Sequence, residues 1–157
     1  MKPAFAQDGK AVTTKKTFSR ETAIQIQIDA DPAIVWALLT NASDFSRWNS
    51  TIVSMEGEIR EGGKIRLVST LDSSRTFKPK VKEFEAERRM VWGDGKGNRE
   101  FTLEKVGDRS VRFTMHEKMG GLMFPLYAKY IPPFDEAFEQ FAGDLKREAE
   151  AIQNAKN

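Results

Sequence analysis

The chain has 157 residues, with 25 Lys and Arg against 23 Asp and Glu, one His and no Cys. That length suits one domain with a sustained core, burying roughly 68–70% of its unfolded surface. A formal charge of +2 offers nucleic acid no strong field, and the absence of Cys with a single His excludes disulfides, thiolate nucleophiles, Cys-based zinc sites and multi-His metal sites.

Residues 1–16 are polar, carry Lys2, Lys10, Lys15 and Lys16 against Asp8 alone, and show no apolar period. They read as a flexible N-terminal arm ahead of a single domain over residues 17–157. Ala4-Phe5-Ala6 has the small-x-small form of a signal-peptidase site, but no apolar run precedes it, so a cytoplasmic chain is expected. Nor does any run reach the roughly 18 apolar residues of a membrane span, which argues against stable membrane insertion.

From Phe18 the chain alternates Thr22, Ile24, Ile26 and Ile28 against Ala23, Gln25, Gln27 and Asp29, a strand with one buried and one wet face. The period then switches. Asp31 is the N-cap of a short helix, Pro32 takes its first position, and Ile34, Val35, Leu38 and Leu39 form its stripe. A second short helix carries Phe45 and Trp48 on one side. Strands are expected at 51–59, 64–71, 76–84, 88–92, 99–105 and 110–119. Gly62-Gly63 is read as a tight hairpin turn, Asp72-Ser73-Ser74-Arg75 as a hairpin tip, and Pro79 as an edge, bulge or bend. From about 133 to 154, Phe134, Phe138, Phe141, Leu145, Ala149 and Ile152 recur at spacings of three and four, with Asp144 off the stripe. About 22 helical residues at 1.5 Å each span roughly 33 Å.

The order is α+β: one strand, two short helices, six strands, and a long C-terminal helix. On "IDADPAIVWALLTNASDFSRWNSTIVSMEGEI", "REGGKIRL", "FKPKVKEFEAERRMVW" and "FTLEKVGDRSVRFTMHEKMGG", the chain resembles the START-like helix-grip (SRPBCC) superfamily, and within it the bacterial polyketide cyclase/dehydrase-like proteins. The resemblance implies a curved seven-stranded antiparallel sheet wrapped around the long helix, with a ligand cavity between them. It also implies that the Phe45–Trp48 helix closes one end, with Trp48 at the mouth and Phe45 anchoring beneath it.

Strand and helix parity name the lining: Leu67, Met90, Trp92, Phe101, Phe113, Met115, Phe138, Phe141 and Leu145 join Phe45 and Trp48. The same parity sends Glu117 inward with Arg99 as its partner, though a rim position with both charges in water is the preferred reading. His116 falls on the opposite face. The segment from Gly120 to Phe134, through Phe124, Tyr127 and Tyr130, is a lid or rim over the cavity mouth, an oligomer contact, a membrane-touching loop or a packed approach to the last helix.

The leading expectation is binding of a small hydrophobic molecule (a lipid, polyketide or aromatic compound), with no metal or cofactor and with Arg99 or Glu117 orienting a polar end. The alternatives are a cyclase/dehydratase using Glu117 as acid or base, and an interaction module of the co-chaperone or homodimer kind.

Overall fold

The structure is a computed structural model that describes residue 5 and residues 7–156. Among the described residues nine strands make two antiparallel sheets: β1 (Val12–Lys15), β2 (Ser19–Ile28), β9 (Ser110–Gly120), β8 (Gly97–Gly107), β7 (Arg89–Gly93) and β6 (Lys80–Glu85) in that spatial order, and β3 (Ile52–Gly57), β4 (Ile65–Ser69) and β5 (Asp72–Phe77) in the other. Between β2 and β3 lie helices α1 (Pro32–Thr40) and α2 (Phe45–Trp48). Short α3 (Phe124–Tyr127) and long α4 (Asp135–Ala155) follow β9. No helix among the described residues is long and apolar enough to cross a membrane.

The two strands beyond the expected seven have physical causes. Within the expected arm, Val12–Lys15 pairs with β2, and the segment is tied down by Thr13 Oγ1 donating to Asp135 Oδ1 at 2.6 Å and Ala11 N–H donating to Glu139. A polar stretch can add to an open sheet edge through its backbone alone, so apolar period gave no warning. Residues 1–4 and 6 of that arm lie outside the described residues. The single strand expected at 76–84 is two strands, because Pro79 cannot continue a ladder. Asp72–Arg75, expected as a hairpin tip, belongs to β5.

Gly62 and Gly63 do more than turn a hairpin. The connection from β3 to β4 is a loop over residues 58–64, in which Gly62 holds φ +75° and a Cβ on Gly63 would lie 1.9 Å from the Glu58 carbonyl oxygen. The loop bonds across to β6: Gly62 N–H donates to Val81 O and Val81 N–H to Gly63 O, while Ile65 N–H donates to Pro79 O. The two sheets are thereby joined at one end into a single curved wall.

Helix α1 starts where its sequence says it should, with Asp31 accepting from Ala33 N–H and Pro32 in the first turn. Helix α4 lies across the concave wall on Phe138, Phe141, Leu145 and Ala149. Each large apolar side chain buried there contributes on the order of 1.5–3 kcal/mol. Polar ties set its position: Lys146 donates to Gln27 O, Glu150 accepts from Asp29 N–H, and Gln153 accepts from Asp31 N–H.

Candidate functional site

A cavity of about 230 Å³ opens between the sheet and the first turns of α4. Its buried lining is largely apolar, with Ile52, Leu67, Trp92, Phe134 and Phe138. Arg75, Lys96, Asp72 and Tyr130 line its exposed side. Of the residues expected at a site, Leu67, Trp92, Arg99, Glu117, Phe138, Tyr127 and Tyr130 line this cavity.

The others are packed instead. Phe141 meets Phe45 at 5.9 Å, Trp48 at 6.2 Å, Phe101 at 6.1 Å and Phe113 at 6.4 Å between ring centroids. Met90, Met115 and Leu145 are buried in the same core. These side chains fill the deep end of the grip, and the cavity lies beyond them toward the first turns of α4.

Trp48 is the clearest correction. Expected at the mouth, it is buried against Phe45 at 4.8 Å, and its indole N–H has no hydrogen-bond partner among the described residues. The cause lies one residue on. Asn49 donates to Phe141 O, and Asp144 accepts from both Ser50 N–H (2.8 Å) and Ser50 Oγ (2.7 Å) while pairing with Arg147. This network pins the end of α2 onto α4 and carries Trp48 inside. The expected lid also divides, since Phe124 is buried beneath α3 whereas Tyr127 and Tyr130 face the cavity.

The polar centre of the site is a cross-strand row. Trp92 on β7 is in register with Arg99 on β8, Arg99 with Glu117 on β9, Glu117 with Thr22 on β2, and Thr22 with Thr13 on β1. Glu117 shares the parity of buried Val111, Phe113 and Met115, Arg99 that of Phe101 and Leu103, and Thr22 that of Ile24, Ile26 and Ile28, which puts the row on the concave face. Arg99 Nε donates to Glu117 Oε1 at 2.6 Å, with the two side chains only 13% and 16% exposed. The preferred rim reading is thus corrected: the pair is mostly buried and lines the cavity. The guanidinium also lies 4.9 Å from the Phe138 ring centroid and 5.6 Å from that of Trp92, where desolvation strengthens the attraction to each ring face.

Arg20, two residues before Thr22 and of the same parity, was a legible signal that sequence reasoning passed over. It is buried, stacks on Phe134 at 4.9 Å, and donates to the carbonyls of Ile131 and Pro132. Burial lowers its pKa, against the opposing pull of Glu117 and Asp135. Asp144 was equally legible, as a charge three positions beyond Phe141. His116 faces away from the cavity, paired with Glu21 at 2.9 Å.

A model of the family described as "Polyketide cyclase / dehydrase and lipid transport" matches residues 19–153. The chain belongs to this family. Solved structures share its helix-grip fold. A START superfamily protein from Mycobacterium smegmatis, 14% identical, matches 84% of this chain and 98% of its own with a TM-score of 0.65. Norcoclaurine synthase from Thalictrum flavum, determined as a point mutant with a transition-state analogue, is 9% identical over 88% of this chain and 99% of its own, also at TM-score 0.65. CalU16 from Micromonospora echinospora is 18% identical over 93% and 91%, with a TM-score of 0.55. Among curated proteins no match is found. Membership in this family, with its START-like fold, points to a role in binding hydrophobic ligands.

Proposed function

We propose that the chain binds one small, largely apolar molecule in the 230 Å³ cavity, seated against Leu67, Trp92 and Phe138 with its polar end at Arg99 and Glu117. The observation that carries this reading is the ion pair itself, lining the cavity beside the Trp92 and Phe138 rings. Arg99 commits Nε to Glu117 Oε1, while its Nη groups make no hydrogen bond to the described residues. A ligand oxygen at those donors, or a ligand hydroxyl at Glu117 Oε2, would satisfy groups that otherwise need water.

The volume bounds the ligand. Sites for drug-sized molecules run from roughly 300 to 1,000 Å³, so this cavity suits one or two fused rings or a short acyl chain rather than a two-chain lipid. Affinity would come from apolar burial at about 25 cal/mol per Å². The test is ligand extraction from the purified protein together with thermal shift against phenols, flavonoids, aromatic polyketides and fatty acids of increasing length. Stabilisation by the smaller aromatic compounds and short acids is expected. No co-purified molecule and no shift with any class would defeat the reading.

A second reading is a cyclase or dehydratase, favoured by the position of Glu117 in the cavity with Oε2 uncommitted to Arg99. As an ion-paired carboxylate Glu117 would accept a proton from the substrate, acting as a general base. Unchanged turnover by Glu117→Gln of any substrate found by screening would remove that assignment.

A further inference from the structure

We infer that the end of the molecule around α3 is a docking surface for an anionic lipid bilayer. Leu122 is 87% exposed and Leu126 65% exposed, with Met123 and Tyr130 also in solvent. Phe18, exposed as well, is brought beside them where Gly121 N–H donates to its carbonyl. Contiguous exposed apolar surface of this kind is uncommon on proteins that work free in water, and it marks an interaction site. Phe124 anchors the segment: it is buried and meets Tyr127 edge-on at 5.5 Å, so α3 is held by one ring while its neighbours remain outside.

The charge around this patch selects the partner. Lys96 Nζ lies 5.7 Å from the Tyr127 ring centroid and Lys129 Nζ 5.2 Å from that of Tyr130. Lys16 is close by, since its N–H donates to Ser19 O and Ser19 is paired with Gly120. From Met119 to Phe134 the sequence has no acidic residue. Asp94, near Lys96, turns its carboxylate to the Lys96 and Gly97 N–H groups. Apolar tips bordered by ammonium groups are what an anionic membrane interface takes up, the tips entering the acyl boundary and the lysines staying among headgroups. A second copy fits less well. A two-fold contact would set the patch against itself and oppose the lysines with no carboxylate from the segment between them.

The same segment lines the cavity through Tyr127, Tyr130, Ile131 and Pro132. A docked molecule would hold its opening at the bilayer, and an apolar ligand would pass between membrane and cavity without crossing water. That consequence rests on the ligand-binding reading above, whereas the docking does not.

The test is co-sedimentation of the full chain, without ligand, on vesicles of phosphatidylcholine alone and of equal parts phosphatidylcholine and phosphatidylglycerol. Binding is expected only to the mixed vesicles, with loss at high salt as screening shortens the reach of the lysines. A Leu122→Ser, Leu126→Ser variant, which alters exposed positions only, should abolish it at unchanged Tm. A Lys96→Gln, Lys129→Gln variant should weaken it roughly thirtyfold. No binding to the mixed vesicles, or undiminished binding by the serine variant, overturns the proposal. A concentration-dependent dimer that the serine variant dissociates, with no vesicle binding, assigns the patch to a second copy and also overturns it. Because no ligand is present, failure here leaves the thermal-shift result for the cavity standing.

Discussion

Replacing Glu117 by Gln preserves the side chain's shape and removes its charge, leaving the Arg99 guanidinium between Trp92 and Phe138 without a carboxylate. Breaking a fully buried ion pair costs about 3–5 kcal/mol, whereas an exposed pair contributes about 0–1 kcal/mol. With side chains 13% and 16% exposed and a cavity on one side, the expected loss is about 2–3 kcal/mol, in line with a charged hydrogen bond. For a chain of 157 residues at about 2–4 °C per kcal/mol, Tm should fall by roughly 4–12 °C. Arg99→Met should cost a similar amount, because it strands the carboxylate. The double variant removes both charges and should lose less than the sum, with a coupling energy of at least about 1.5 kcal/mol. Urea unfolding of all four proteins measures the cycle, provided the m-values agree. Additive losses of under about 0.5 kcal/mol each would mean that water solvates both charges, and would refute the buried-pair geometry on which the ligand's polar contact depends.

Phe141→Ala removes the ring on which four other aromatics converge, and should cost about 3–5 kcal/mol in urea unfolding. Asp144→Ala leaves Ser50 N–H and Oγ unpartnered at the α2–α4 junction and should cost about 2–3 kcal/mol. Exposure of Trp48 would follow, read as a red shift in tryptophan emission. Asp44, held below the ordinary carboxylate range first by its hydrogen bond from Arg47, and Glu83, held there by its hydrogen bond from Arg89, should titrate late in an NMR-monitored acidification. Both are depressed in the folded state, so their stabilisation is present above the unfolded pKa of about 4 and is lost as pH falls through the folded value. Arg47→Gln and Arg89→Gln should return the respective midpoints toward that value.

The elements that sequence reading found were those where local chemistry and tertiary role agree. Asp31-Pro32 starts a helix in any context, and the Ile24, Ile26, Ile28 alternation can only face a core. Glu117 and Arg99 were legible as an inward pair by parity alone. What parity could not say was whether the strand ends there reach solvent. That depends on Phe138 and the chain after Gly120 closing over them, which are contacts across the fold rather than along it. Trp48 failed for a related reason: a helix of four residues fixes which side two rings share, but not what lies on that side. The answer depended on Asp144 nearly a hundred residues later. The extra strands Val12–Lys15 and Asp72–Phe77 pair through the backbone with few apolar side chains, so periodicity had little to register.

The pairing of β2 with β9 along the whole of Ser19–Ile28 also sets when the protein can first work. At roughly 5–20 residues per second of synthesis, the first long strand waits about 5–20 seconds for its partner, its row of isoleucines without the neighbour that will cover it. The helix that roofs the chamber is made after all of these strands. Until α4 is made the cavity has no Phe134, Ala137 or Phe138 to close it, so the proposed ligand would have no enclosed site on a chain that stops at β9.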